Sequence, residues 1–278
     1  MTPIKSRTIL ITGSTDGLGK ATALELAKLG ATVLLHGRNK TKLTAAVAEI
    51  KKSAGTAKVR GYLADLAALG QVRQLAQKVI SENGRLDMLI NNAGIGAGDL
   101  KQARRELSAD GIELRFAVNY LAPFLLTRML LPLIRKSAPA RIINVSSVGQ
   151  VPIDFDDLQM ERHYDPFDAY RRSKLAQIMD TIDLAAELAG SGVTVNCLHP
   201  ASLMNTKMVL EWFGHTMSTI EDGVSSLMNM ATSPEFDEIT GAYFDQTNRS
   251  RPNQQAGDAA ARKRLNELSL ALTGLAGR

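Results

Sequence analysis

Short apolar runs alternate with longer stretches of helical periodicity along most of the chain, and this alternation constrains the fold most. The apolar runs, at residues 8–12, 32–36, 59–63, 88–90, 141–145 and 193–198, are predicted strands. The predicted helices are residues 17–29, 40–53, 66–82, 111–136, 169–189 and 258–272. Because the strands are apolar throughout, helices should cover both faces of the sheet. With right-handed crossovers, the pattern predicts an α/β fold with a doubly wound parallel sheet of about seven strands.

Nothing in the sequence divides the chain, because it contains no internal repeat and no linker rich in proline, glycine or serine. Residues 1–278 are therefore predicted to form a single domain. Two segments, 149–168 and 201–219, fall outside the alternation, and each follows the end of a strand, where sheets of this kind bind ligands. Apolar side chains in these predicted substrate loops favour an apolar substrate, although they could equally pack against the protein itself. They are Val151, Pro152, Ile153, Phe155, Met160, Met208, Leu210, Trp212 and Phe213.

Composition excludes several classes of protein. Cys197 is the only cysteine, so no disulfide can form within the chain, and the four histidines lack metal-ligand spacing, so we expect no metal site. The net charge of +5 comes from dispersed basic residues, and aromatic residues make up only 5%, so we expect no nucleic-acid partner. The most apolar stretch, 121–134, is interrupted by Arg128. No signal peptide pattern precedes the first strand, and we expect a soluble, cytoplasmic protein that does not bind a membrane.

A glycine-rich loop joins the first predicted strand to the first predicted helix. Gly13, Gly17 and Gly19 permit a tight turn and the close approach of a pyrophosphate, which the amide groups at a helix N-terminus can bind. Glycines also end strands for structural reasons, but this position in a doubly wound pattern favours a dinucleotide. The candidate binding residues of the loop are Gly13, Ser14, Thr15, Gly17, Leu18 and Gly19.

The second predicted strand ends in His36-Gly-Arg38-Asn, without the carboxylate that usually binds the adenosine ribose in NAD sites. The guanidinium of Arg38 suits a 2′-phosphate instead. NADP(H) is therefore the expected cofactor, although Arg38 could simply be an exposed residue before the next helix. Asp16 in the glycine loop would oppose a phosphate if its side chain pointed that way, so NAD(H) stays possible.

Tyr170 and Lys174 lie four residues apart on a predicted helix, and they therefore share one face of it. Such a pair is most often a surface feature. Here, however, Ser147 ends the fifth strand, and that edge of the sheet faces the same crevice as the start of the following helix. These three side chains are candidates for proton transfer to a substrate oxygen.

The ordered set of motifs resembles the short-chain dehydrogenase/reductase family over nearly the whole chain. Residues 118–123, the long segment between Ser147 and Tyr170, and the ending 268–274 are most similar to its retinol dehydrogenase-like branch. That branch often has a membrane-anchoring N-terminus, which we do not expect here. The matching residues are Thr12-Gly13-Ser-Thr-Asp-Gly17-Leu-Gly19, Asp65, Asn91-Asn-Ala-Gly94, Asn119, Ser147, Tyr170-x-x-Ser-Lys174, and Pro200 with Thr206. Ala201 departs from the family, which usually has glycine there; a negative φ would accommodate it.

The resemblance implies a Rossmann-type fold and an oxidoreductase that transfers a hydride between a nicotinamide cofactor and a carbonyl or alcohol. It implies that Asp65 meets the adenine and that Thr206 holds the nicotinamide carboxamide. The further cofactor-binding candidates are Leu66, Asn91, Ala93, Gly94, Tyr170, Lys174 and Pro200. The family commonly forms homo-oligomers through the helices at 111–136 and 169–189.

The implied catalytic residues are Asn119, Ser147, Tyr170 and Lys174. Tyr170 would donate the proton and Ser147 would bind the substrate oxygen. Lys174, at ~4–5 Å, would lower the pKa of Tyr170 by about two to three units. Asn119 would hold a water that links Lys174 to solvent. Two alternatives stay open at this point: an NAD-linked alcohol dehydrogenase, and a non-catalytic regulator that senses NADP.

Overall fold

The computed structural model describes residues 3–98 and 104–275, with the side chains of Met208 and Phe213 outside that description. Eight strands form one sheet in the order β3-β2-β1-β4-β5-β6-β7-β8. All neighbours pair in parallel except β7 and β8, which are antiparallel. The strands are β1 Thr8–Ile11, β2 Thr32–Gly37, β3 Val59–Leu63, β4 Met88–Asn91, β5 Ala140–Val145, β6 Val193–His199, β7 Tyr243–Asp245 and β8 Asn248–Ser250.

Helices cover both faces of the sheet, so the predicted doubly wound α/β fold is confirmed. One core contains buried residues of α3, α5, α6 and α9, and the other contains buried residues of α1, α2 and α8. The helices are α1 Gly17–Lys28, α2 Lys40–Ala54, α3 Leu69–Glu82, α4 Leu114–Phe116, α5 Ala122–Lys136, α6 Pro166–Glu187, α7 Lys207–Phe213, α8 Ile220–Thr232 and α9 Ala259–Leu272.

Side-chain caps explain where two helices differ from their predicted bounds. Helix α3 begins at Leu69 instead of residue 66, because Asp65 folds back to accept a hydrogen bond from the amide of Ala67. The amide of Leu69 donates to Asp110, which lies far along the chain. Helix α6 begins earlier than expected, at Pro166, because the Asp165 carboxylate accepts a hydrogen bond from the amide of Asp168.

The long helix predicted at 111–136 is interrupted. Gly111 lies in a turn with φ of 75°, and α4 begins at Leu114. A π-helical turn, Ala117–Leu121, then separates α4 from α5. The stretch Leu114–Lys136 is long and apolar enough to cross a membrane by length and composition, yet 78% of its most apolar window is buried inside the protein. The stretch therefore packs as part of the core, between the sheet and the neighbouring helices α3 and α6.

The remaining differences concern the C-terminal third. The sheet has one strand more than the seven expected. The sequence does not predict β7 and β8, because each is only three residues long and carries no periodic signal. The segment 201–219 contains α7, and α8 follows it. Helix α9 packs on the core, where its residues Ala261, Leu265 and Ser269 are buried.

Candidate active site

Close packing shapes the glycine loop between β1 and α1. Gly13 has φ of 63°, and a Cβ there would lie 2.7 Å from the Cα of Ala93. A Cβ on Gly19 would lie 2.5 Å from the carbonyl oxygen of Gly13. Larger residues would therefore push the loop away from both the helix and the segment after β4. The glycines hold the backbone where a pyrophosphate could approach it closely.

His36, at the end of β2, fixes the glycine loop and was not foreseen as a site residue. Its Nδ1 accepts a hydrogen bond from the amide of Gly13 at 3.1 Å, while Nε2 lies 3.1 Å from the carbonyl oxygen of Ala64. The ring is therefore neutral, with its proton on Nε2. Burial lowers the pKa of His36 to about 4. The Ser14 hydroxyl also connects the loop to the strands: it donates a hydrogen bond to the carbonyl of Ile11 in β1 and accepts one from the backbone amide of His36 in β2.

The segment after β4 lies against the same loop. The side-chain Nδ2 of Asn92 donates hydrogen bonds to the carbonyl oxygens of Thr12 and Gly13 at 2.9 and 3.0 Å. The Asn91 side chain instead points into the protein, where it donates to Thr127 and Asn144. Any contact between Asn91 and a cofactor would therefore come from its backbone. Ala93 touches Gly13, as described above.

The two residues expected at the adenosine end lie at the same edge of the sheet. Arg38 is exposed just beyond β2 and has no hydrogen bond or ion pair with the described residues. Asp65 is half-buried after β3, and the neighbouring Leu66 is buried. Asp16, whose charge could have opposed a phosphate, accepts a hydrogen bond from the amide of Gly17 and caps α1. Thr15 contributes its methyl group, which a Cβ on Gly37 would meet at 2.4 Å.

Ser147, Tyr170 and Lys174 lie together, as the sequence predicts. Ser147 is buried beyond β5, where its Oγ accepts a hydrogen bond from the amide of Gly149 at 3.1 Å. Tyr170 is partly buried in the second turn of α6. The Lys174 Nζ lies 5.7 Å from the centre of the Tyr170 ring. These contacts bring one hydroxyl, one phenol and one amine into the crevice above the sheet.

The expected effect of Lys174 on Tyr170 is wrong for this arrangement. Burial raises the pKa of Tyr170, and only the side-chain hydrogen bond with Ser147 acts in the opposite direction. Lys174 points elsewhere: its Nζ donates to the carbonyl of Val145 at 2.9 Å and to Oε1 of Gln177 at 3.3 Å. Burial also lowers the pKa of Lys174 to about 8, so Lys174 stays mostly protonated at pH 7 and loses its charge as the pH rises above 8.

Asn119 occupies the π-helical turn and is fully buried. Its Oδ1 accepts a hydrogen bond from the amide of Ile95 at 2.8 Å, and its Nδ2 donates to the carbonyl of Ile95 and to Ser173. A Cβ on Gly94 would lie 3.5 Å from both Asn119 Oδ1 and Lys174 Nζ. Asn119 therefore supports the backbone beside Lys174, and π-helical turns often occur at such functional positions.

The segment after β6 turns back over the glycine loop. Pro200 and Ala201 are buried, and Ala201 has a negative φ, as expected for a tolerated substitution. Thr206 caps α7 by accepting a hydrogen bond from the amide of Val209. Its methyl group is 3.7 Å from the position of a Cβ on Gly17. This places Thr206 beside the glycine loop, and its contact with the nicotinamide stays a prediction.

The side chains present fit a dinucleotide. The backbone at Gly13 and Gly19 leaves no room for a Cβ, and the absence of a side chain at Gly94 leaves its backbone uncovered beside Lys174. Within the described ranges, no group of histidine, cysteine or carboxylate residues is arranged to hold a metal ion. A glycine loop after β1 together with a Ser–Tyr–Lys cluster at the carboxyl ends of β5 and its neighbours defines a Rossmann-type oxidoreductase.

Comparison with known proteins agrees with this class. The family model for short chain dehydrogenases matches residues 7–215, so the chain belongs to the short-chain dehydrogenase/reductase family. It is 37% identical to retinol dehydrogenase 13 of Mus musculus over 290 residues, which covers 98% of this chain and 85% of that protein. It is 35% identical to retinol dehydrogenase 14 of Homo sapiens, covering 97% and 87%. These relatives confirm the similarity to the retinol dehydrogenase-like branch.

Solved structures confirm the fold. A short chain dehydrogenase of Escherichia coli CFT073, crystallised with NADPH, aligns with a TM-score of 0.70 at 29% identity, covering 87% of this chain and 96% of that chain. An uncharacterized protein of Mycobacterium paratuberculosis aligns with a TM-score of 0.77 at 31% identity, covering 97% and 94%.

Proposed function

We propose that the protein is an NADP(H)-dependent oxidoreductase that transfers a hydride between its nicotinamide cofactor and an apolar carbonyl or alcohol. The observation that carries this proposal is the meeting of Ser147, Tyr170 and Lys174 beside the open backbone at Gly94. A protein that only sensed the cofactor would not need these side chains in one crevice.

The chain's own residues divide the work of holding the cofactor. The loop from Gly13 to Gly19 would receive the pyrophosphate, Asp65 and Leu66 would border the adenine, and Gly94, Lys174 and Thr206 would border the nicotinamide end. When bound, the cofactor supplies or accepts the hydride. Arg38 lies beyond β2 without a protein partner among the described residues, so it is available to pair with a 2′-phosphate. That position favours NADP(H) over NAD(H).

Tyr170 would act as the acid in carbonyl reduction, giving its phenolic proton to the substrate oxygen as the carbonyl carbon gains the hydride. Ser147 would donate a hydrogen bond to the same oxygen and stabilise its developing charge. Because burial raises the pKa of Tyr170, the neutral, proton-carrying phenol is the dominant form near neutral pH. This suits the reductive direction. In alcohol oxidation the phenolate would have to form, so that direction should improve as the pH rises.

The apolar residues expected in the two substrate loops do not all have the same surroundings. Ile153 and Met160, from segment 149–168, are buried within the protein. Trp212 of α7, one of the expected apolar residues, lies against Tyr170, and Phe167 of α6 lies against Trp212. An indole beside the proton donor, packed in turn on a second aromatic ring, supports an apolar substrate.

The test is to follow NADPH oxidation with a panel of aldehydes, ketones and quinones, and to repeat it with NADH. We expect turnover of apolar carbonyls, with a lower KM for NADPH than for NADH. Absence of turnover across the panel, in protein that binds NADPH, would contradict the proposed activity. Equal use of the two cofactors would contradict the preference assigned to Arg38.

A further inference from the structure

Trp212 lies directly against the proton donor. Its ring centre is 5.4 Å from that of Tyr170 at an interplanar angle of 85°, and 5.8 Å from that of Phe167 at 76°. Both are edge-to-face contacts at the distances of directly packed aromatic rings. No substrate group fits between the indole and the phenol while this packing persists.

Gly96 is the surface on which the indole rests. A Cβ on Gly96 would lie 1.2 Å from Cζ2 and 1.8 Å from Cη2 of Trp212, so the six-membered ring covers the space that any side chain would need. The position of Trp212 therefore depends on glycine at residue 96.

Buried Arg115 fixes this surface from behind. Its Nε donates to the carbonyl oxygen of Gly96 at 3.0 Å, and Nη2 donates to the carbonyl of Ala97 at 2.7 Å and to the Glu106 carboxylate at 2.8 Å. The guanidinium is 3% exposed. Charged hydrogen bonds in a buried setting are strong, so the backbone under Trp212 is held rigidly.

We propose that Trp212 is the specificity-determining side chain of the substrate crevice and that it selects aldehydes over ketones. This proposal rests on the proposed function. The substrate oxygen must lie at the hydroxyls of Tyr170 and Ser147, and the carbonyl carbon is about 1.2 Å from that oxygen. With the oxygen held there, one of the two substituents on this planar carbon lies, in this proposal, against the indole. A hydrogen fits there, whereas a methyl group meets a ring supported by Gly96.

The first experiment compares benzaldehyde with acetophenone, which differ by one methyl group on the carbonyl carbon. For each, kcat/KM is measured with NADPH in the wild type and in Trp212→Ala. We expect Trp212→Ala to raise the ratio of acetophenone to benzaldehyde by at least ~10-fold, the lower end of what one methylene is worth in a pocket. The matched control is Met217→Ala, which removes an apolar side chain after α7 that is 73% exposed. This control should leave the ratio unchanged.

The second experiment tests the role of Gly96. Gly96→Ala should displace the indole and shift the ratio in the same direction as Trp212→Ala. In the double variant Gly96→Ala/Trp212→Ala, the methyl group at residue 96 has no indole to displace. The changes in the acetophenone-to-benzaldehyde ratio caused by the two substitutions should therefore not add. Additive effects, or an unchanged ratio in Trp212→Ala, would overturn the proposal.

Binding without turnover separates this proposal from the proposed function. With the enzyme saturated by NADP⁺ no hydride is available to either carbonyl, and calorimetry then gives the two dissociation constants alone. A preference for benzaldehyde that falls in Trp212→Ala supports the inference even if NADPH oxidation is absent, in which case only the proposed function fails. No preference, or an equal one in both proteins, overturns the inference even if turnover is observed.

Discussion

Acidification should destabilise the protein through His36, because this histidine holds the glycine loop only in its neutral form. Burial lowers its pKa to about 4, against 6.5 in the unfolded chain. Between these values the unfolded state binds more protons, so the stabilisation is fully present above pH 6.5 and is lost as the pH falls toward 4. A difference of about 2.5 pKa units corresponds to about 3 kcal/mol in total, of which about 2 kcal/mol should be gone by pH 5.

The assay is urea unfolding at several pH values between 7.5 and ~5. His36→Asn keeps an acceptor for the amide of Gly13 but does not titrate in this range, so the fall in unfolding free energy should be smaller by about 2 kcal/mol in this variant. His163→Asn, at an exposed histidine, is the matched control and should keep the wild-type fall. Burial also lowers the pKa of His199, so part of the pH dependence of the unfolding free energy that remains in His36→Asn is due to His199. The same pH dependence in His36→Asn and wild type would refute the assignment.

Four further predictions concern the cofactor and the catalytic groups. Arg38→Ala should reduce the preference for NADPH over NADH by ~10-fold in Kd, the scale of one charged hydrogen bond; an unchanged ratio would place the 2′-phosphate elsewhere. Tyr170→Phe should lower kcat by at least ~100-fold and leave the Kd for NADPH within a few-fold; near-normal turnover would remove Tyr170 from the mechanism. Lys174→Ala should lower kcat and raise the Kd for NADPH, because Lys174 borders Gly94 and the phenol; NADPH binding at wild-type strength would argue against its place at the nicotinamide end of the cofactor. Saturating cofactor and substrate should change the fluorescence of Trp212 and slow proteolysis of segment 201–219, and no change in either signal would exclude a lid.

The parts of the fold that the sequence predicts well are those with local signals. Six strands are found close to their predicted positions, and five of them are almost entirely buried, as mainly apolar runs predict, whereas β3 is exposed at Arg60, Gly61 and Leu63. The starts of α3 and α6 were misplaced, since they depend on which side chain caps the first turn. For α3 that side chain, Asp110, lies 41 residues away from Leu69. Such a contact exists only after the chain has folded.

The residues of the site also divide into those that local signals in the sequence predict and those that depend on contacts formed on folding. Ser147, Tyr170 and Lys174 could be placed together because the topology brings strand ends and helix starts to one edge. The orientation of Lys174 toward Val145 and Gln177 could not be predicted, and neither could the resulting pKa of Tyr170. His36 carried a weak signal, a polar residue inside an apolar strand directly before Gly37. The contact of Trp212 with Gly96 had no local signal at all.

The two edges of the sheet bear on how copies of this chain could associate. Strand β3 carries Arg60 on one edge, and β8 carries Arg249 on the other, with all three β8 residues exposed. A charged side chain on an edge strand opposes the addition of another strand, and the short β8 offers few backbone groups to pair. Growth of a continuous sheet from one molecule into the next is therefore disfavoured at both ends. If copies of the chain associated through their helical surfaces instead, side-chain packing would set the register between them, and no shared ladder of backbone hydrogen bonds would form.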